Sequence, residues 1–235
     1  MSTDQSAVVR CSELSHTYGT GPTAVVAVHG VTCTVTNGMR LAITGPSGSG
    51  KSTLLHLMAG LVEPTAGQLD WPALGGHPAG QPGLVGVVFQ GPSLIPALNV
   101  VENVALPLIL SGCTDAEASD MAKAALQTME LDRLGRKLPE ELSGGQAQRV
   151  AIARVLALRP PLILADEPTG QLDRETGAHV IDMLLGAATA LGASLVVSTH
   201  DTSVAQRMDS CWQMSDGALD TTDLPIGNTL PRRAQ

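Results

Sequence analysis

Gly45-Pro46-Ser47-Gly48-Ser49-Gly50-Lys51-Ser52 fits G-x-x-x-x-G-K-[ST] at every fixed position. Chemistry for those residue types follows from their spacing. Glycines let the backbone curl so that successive N–H groups converge on phosphate oxygens. A helix starting at the loop's end adds the partial positive charge of its N-terminus. Lys51 reaches the β- and γ-phosphates, and the Ser52 hydroxyl is a Mg²⁺ ligand. A glycine-rich turn can match this pattern by accident, but the flanks decide against accident. Leu41-Ala42-Ile43-Thr44 reads as a buried strand, and Thr53 to Ala59 runs as a helix that stops at Gly60. The expectation is a nucleoside triphosphate site.

Two further stretches bring candidate groups toward it. Pro161-Leu162-Ile163-Leu164-Ala165-Asp166-Glu167 is an unbroken apolar strand ending in two carboxylates. In open parallel sheets ligands collect at the carboxyl ends of the strands. There Asp166 can hold Mg²⁺ and Glu167 can orient or deprotonate a water, unless the pair is simply solvated. Leu195 to Thr199 delivers His200 to the same edge, where it contacts the γ-phosphate or serves structure alone. Leu84 to Gln90 is another apolar strand, and Gln90 opens a Gly-Pro segment suited to a mobile loop. Tyr18 is the only tyrosine, in a turn over His16 to Gly21. It either anchors that turn or stacks on an adenine.

The elements that must position these groups follow from pattern. Ala7 to Leu14 and Ala24 to Val35 read as strands of a peripheral sheet, and Gly67 to Trp71 suggests another short strand. Pro72 to Gly83 is a Gly-Pro loop without a clear helix. From about Asn99 to Leu158 the period turns helical, with a capping box at Thr114 to Glu117. Ala118, Met121, Ala122, Ala125, Leu126 and Met129 then recur as a core stripe. Leu142-Ser143-Gly144-Gly145-Gln146 leads into a helix over Ala147 to Leu158. Ser143 and Gln146 fit a plain N-cap, and a capped glycine-bearing N-terminus is also an anion site.

Composition bounds the rest. The 235 residues suit one large α/β domain, 43% apolar yet 2% aromatic, so the core is Val, Leu, Ile and Ala. A net charge of −8 speaks against a nucleic-acid surface. No basic stretch followed by an apolar run suggests a signal peptide. The apolar run from Leu184 to Val197 is too short to span a bilayer. Cys11, Cys33, Cys113 and Cys211 show no C-x-x-C pair and read as buried or incidental thiols.

Together these motifs resemble the ATP-binding subunit of an ATP-binding cassette (ABC) transporter, over about residues 8–217. The pentapeptide Leu142 to Gln146, standing before the Asp166-Glu167 strand, singles out that family among phosphate-loop enzymes. Ala165-Asp166-Glu167-Pro168-Thr169-Gly170-Gln171-Leu172-Asp173 and Asn103 to Leu108 look most like the LolD/MacB/FtsE group. Gln171 departs from that group's usual Asn, and Asp70 to Gly83 is shorter than its usual segment. The resemblance implies an α/β fold with a mostly parallel core sheet, a peripheral antiparallel subdomain and an inserted helical subdomain at about 95–158. The domain would run over residues 7–217, followed by a mobile tail at 218–235.

The resemblance also assigns roles. Tyr18 would stack on adenine, with Gly45 to Thr53 around the phosphates. Gln90 would meet Mg²⁺ and sense a membrane partner. Ser143, Gly144, Gly145 and Gln146 would contact ATP held by an opposing subunit. Asp166 would bind Mg²⁺, Glu167 would be the catalytic carboxylate, Asp173 would lie in an inter-subunit loop, and His200 would be the switch histidine. Implied are ATP and Mg²⁺, a head-to-tail dimer, and a separate membrane permease on whose cytoplasmic face the chain would sit. The work would be export or lipoprotein release. In the alternative, an FtsE-like ATPase would transmit force to a cell-wall enzyme and move nothing. Soluble ABC ATPases of translation or DNA repair need two cassettes or a long coiled-coil insertion, and neither is present.

Overall fold

The computed structural model describes residues 6–222. Residues 223–235, most of the expected mobile tail, therefore lie outside the described residues. The chain enters through β1 (Ala7–Tyr18), β2 (Val25–Thr36) and β3 (Arg40–Thr44), then α1 (Lys51–Met58), β4 (Ala66–Asp70) and β5 (Val85–Val88). Three helices follow, α2 (Val100–Leu110), α3 (Asp115–Thr128) and α4 (Gly144–Ala157). It finishes with β6 (Leu162–Asp166), α5 (Arg174–Leu191), β7 (Ser194–Thr199), α6 (Thr202–Ala205), β8 (Ser210–Ser215) and β9 (Ala218–Asp220).

One sheet has the order β5-β6-β7-β3-β8-β9, parallel throughout except for the β8–β9 pair. A second, antiparallel sheet has the order β2-β1-β4. Because side chains alternate along a strand, each central strand feeds two cores. Ile163, Ala165, Leu195 and Val197 pack with α2 to α5, whereas Leu162, Leu164 and Val196 pack with α1 and the antiparallel sheet. Burial on both faces explains why β6 reads as an unbroken apolar run up to its acid.

Register aligns the strand ends that matter. Thr44 pairs with Thr199, Asp166 with Ser198, and Val88 with Ala165, so the carboxyl ends of β3, β5, β6 and β7 form one edge.

Several details differ from the sequence reading. Tyr18 is the last residue of β1, opposite Val25, rather than part of a turn. Irregularities in the β1–β2 ladder let pairing continue past the polar residues at 15–17. Helix α1 begins at Lys51, earlier than Thr53, and β6 ends at Asp166, with Glu167 turned out at φ +43. The sheet does not stop at Gly217. β9 takes in Ala218–Asp220, the first part of the expected tail, by pairing with β8. The run from Leu184 to Val197 is divided between α5 and β7 by Gly192, whose φ of +65 ends the helix. Cys11 and Cys33, distant in sequence, face each other across β1 and β2. Their hydrogen bond, together with burial, pushes the Cys11 thiol well above its ordinary value.

Candidate functional site

The glycine loop is built by close approach of backbone. A Cβ on Gly45 would stand 2.1 Å from the Met214 carbonyl oxygen, and one on Gly50 would stand 2.1 Å from that of Ala27. Both contacts exclude any side chain, and Gly50 also holds φ +103. Gly50 caps α1 without a side-chain hydrogen bond, leaving the first N–H groups of the helix open. Pro46, Ser47 and Gly48 are exposed along the loop, while Ser49 is buried. Lys51 is buried and donates from Nζ to the carbonyls of Gly45 and Pro46, 2.9 Å each. Its partners are carbonyl oxygens rather than a carboxylate. The Ser49 hydroxyl is buried with no hydrogen-bond partner among the described residues. A buried cation, an orphaned hydroxyl and an open helix N-terminus form a cradle that fits an anion. Ser52 is exposed on the first turn, and Thr53 Oγ1 lies 3.5 Å from the Tyr18 hydroxyl. The Tyr18 ring is 44% exposed, with His16 packed against it at 4.5 Å and 77°.

At the ends of β6 and β7 the acids are held by an unforeseen residue. Ser198 donates its hydroxyl to Asp166 Oδ1. The Glu167 N–H in turn donates to the Ser198 hydroxyl and carbonyl oxygens, each at 3.1 Å. One serine thus fixes the buried Asp166 and the turned-out Glu167. Glu167 Oε2 accepts from His200 Nδ1 at 2.9 Å. These two side chains meet directly. Ser198 was missed because nothing local marks it; its partners come from a strand 32 residues earlier.

Gln90 is exposed two residues past β5, in a loop tied to the helices. Gln148 Nε2 donates to the Phe89 carbonyl at 3.4 Å. Ser143 caps α4, accepting from the Gln146 N–H at 3.2 Å, while the Gln146 side chain accepts from the Ser143 N–H at 3.0 Å. Ser143 and Gln146 bond only within that first turn among the described residues, and neither bonds the glycine loop. A Cβ on Gly145 would lie 2.8 Å from the Thr176 methyl, so this turn packs on the start of α5. Asp173 is the N-cap of α5, accepting from the Glu175 and Thr176 N–H groups at 3.1 and 3.0 Å. Thr176, and then Glu175, hold its carboxyl below the ordinary value.

A family description, "ABC transporter", matches residues 28–170. The chain belongs to the ABC transporter family. This cassette is 40% identical over 220 residues to "Lipoprotein-releasing system ATP-binding protein LolD" of Legionella pneumophila, covering 90% of this chain and 96% of that one. It is 39% identical over 219 residues to "Uncharacterized ABC transporter ATP-binding protein YbbA" of Escherichia coli, with the same coverage. A solved structure of the cassette MJ0796, dimeric, post-hydrolysis and bound to ADP and Pi, superposes with a TM-score of 0.83. That protein is 35% identical, covering 94% of this chain and all of its own. The cassette is therefore an ATP-binding, ATP-hydrolysing subunit of the LolD group, with the ABC ATPase fold. No described helix is long and apolar enough to cross a membrane.

Proposed function

We propose that this cassette is the ATP-driven motor of a membrane complex, working as a head-to-tail pair that closes on two ATP molecules. The observation that carries this reading is a second glycine-bearing helix start, at α4, besides the open one at α1. The glycine loop is open at α1, while Ser143-Gly144-Gly145 presents a second N-terminus at α4 that makes no hydrogen bond to the loop among the described residues. A phosphate lying between both starts needs the loop of one copy and the turn of another.

Within one copy, Lys51 and the open N–H groups of α1 bind the phosphates, and Tyr18 offers its ring to the adenine. Ser52, Asp166 and Gln90 supply hydroxyl, carboxylate and amide oxygens, a hard donor set suited to Mg²⁺. Bound there, Mg²⁺ would neutralise charge on the phosphates. Glu167 orients the attacking water and accepts its proton, and Ser198 and His200 fix where that carboxylate points. Asp173, at the start of α5 beside the Ser143 turn, stands at the seam between copies.

The membrane work belongs to a partner permease, with this subunit docked on its cytoplasmic face. The LolD relative's name favours lipoprotein release or a related export. The test is size measurement in ATP and Mg²⁺. Glu167→Gln should still bind ATP, lose turnover by about 10²–10⁴-fold, and accumulate a dimer. Adding Ser143→Arg should return it to monomer with ATP still bound. A saturated Glu167→Gln that stays monomeric, also with its permease present, overturns the shared-site reading.

A further inference from the structure

The loop that carries Gln90 is pinned on both sides by the helical layer. Before Gln90, the Phe89 carbonyl accepts from Gln148, which is buried on α4. After it, Arg154 of the same helix donates from Nη1 to the Ser93 carbonyl at 2.9 Å and from Nη2 to that of Pro92 at 3.3 Å. Further on, the buried Asn103 of α2 accepts from the Ile95 N–H at 2.7 Å and donates to the Ile95 carbonyl at 3.1 Å. Gln90 stands between these ties, and the Gly91 carbonyl beside it accepts from the Ser93 hydroxyl of the same loop at 3.2 Å.

Two features show that the Arg154 contact is built rather than incidental. Ser93 holds φ +46, a left-handed conformation that L residues seldom adopt unless their surroundings impose it. Its carbonyl is the one Arg154 grips more closely. Moreover, the guanidinium has no carboxylate partner among the described residues, and burial lowers its affinity for a proton. A partly buried cation whose side-chain partners among the described residues are two carbonyls of one loop is a specific arrangement rather than general packing. Six residues separate Gln148 from Arg154, about 9 Å along the helix, so α4 grips the loop at two levels. The other end of α4 carries Ser143.

We infer that Arg154, with Gln148, is a positioning residue that makes Gln90 move as one body with α4. Any displacement of the Ser143 turn is thereby delivered to the Gln90 side chain of the same copy. Engagement of Ser143 by a second copy's nucleotide then alters how Gln90 meets its own metal and phosphate. This rests on the shared-site reading above, and the test separates the two.

The full chain is compared with Arg154→Met, Arg154→Lys, Gln148→Leu and the pair Ser93→Gly with Arg154→Met. Measured are ATP turnover against Mg²⁺ concentration, ATP affinity in chelator without Mg²⁺, and melting temperature. Arg154→Met should lower turnover by about 10²-fold, as small misplacements do. It should also raise the Mg²⁺ concentration for half-maximal rate and leave affinity in chelator unchanged, because Lys51 is on another element. Arg154→Lys should fall between, since one ammonium cannot fork to two carbonyls. Gln148→Leu should shift the Mg²⁺ response in the same direction. Ser93→Gly accepts the left-handed backbone without a clamp. In the double variant it should restore the melting temperature without restoring turnover.

Wild-type Mg²⁺ response in Arg154→Met overturns the inference. So does turnover that returns in step with melting temperature in the double variant, or an equal loss of affinity in chelator. Each would mark a merely structural contact. Glu167→Gln with Arg154 intact reports on the dimer alone. Its failure removes the shared site but leaves the Mg²⁺ comparison standing as a test of the Gln90 tie.

Discussion

His200 Nδ1 lies 2.9 Å from Glu167 Oε2, joining the residues that immediately follow two neighbouring strands at the site edge. An ionised carboxylate only accepts, so Nδ1 carries the proton, and the His200 side chain is mostly exposed. The histidine is thus occupied with aiming the Glu167 carboxylate, the proposed general base.

That geometry separates two replacements. Asn places its amide nitrogen near the position of Nδ1, whereas Gln reaches toward that of Nε2. If orienting Glu167 is the main task, His200→Asn should keep more steady-state turnover than His200→Gln, with His200→Ala lowest. The reverse order would assign the role to Nε2.

Lys51→Ala removes a buried cation bound to the loop carbonyls. Charge-assisted bonds of this kind contribute about 1.5–3 kcal/mol each, so ATP affinity should fall by about 10–10²-fold or more. Calorimetry that finds unchanged affinity would displace the phosphates from this loop.

Tyr18→Ala should weaken adenine nucleotides by about 1–3 kcal/mol if the exposed ring stacks on the base. Tyr18→Phe should be nearly silent, because the hydroxyl contact to Thr53 is long at 3.5 Å. Equal losses in the two variants would point to the hydroxyl instead.

The capping carboxylate of α5 gives an acid-side prediction. The Asp173 value is lower folded than unfolded, so the unfolded chain binds more protons in acid. The contact's stabilisation is complete above the unfolded value, about 3.9, and is lost as pH falls through the folded one. Asn caps as well as Asp, so Asp173→Asn should leave urea unfolding near pH 7 almost unchanged. Between about pH 5 and pH 3 it should lose less stability than the parent chain. An equal acid-side loss would show that this cap does not titrate.

What could be read from the sequence was local. The glycine loop, the two acids after an apolar strand and the Ser143 cap each occupy a single stretch, where spacing alone carries the signal. Ser198, Gln148 and Arg154 were silent, since each acts on backbone or side chains brought near only by sheet register or helix packing. β8 escaped notice for a related reason. Cys211, Trp212 and Met214 are buried, but six residues broken by Gln213 are too few to show a period. Helix α5 was not read as a helix: its end was merged with β7 in the apolar run Leu184 to Val197, and its first turns carry Arg174, Glu175 and His179.

The walls against which the glycine loop is pressed come from both ends of the chain. Ala27 closes over Gly50, Met214 closes over Gly45, and the Gly217 N–H donates to the Ser49 carbonyl at 3.0 Å. During synthesis, then, residues 45–52 leave the ribosome long before the strand that shapes them. A nascent or truncated chain lacking residues 210–217 would carry the motif without its cradle. ATP would then act as a late checkpoint, retained only by chains whose last strands have docked.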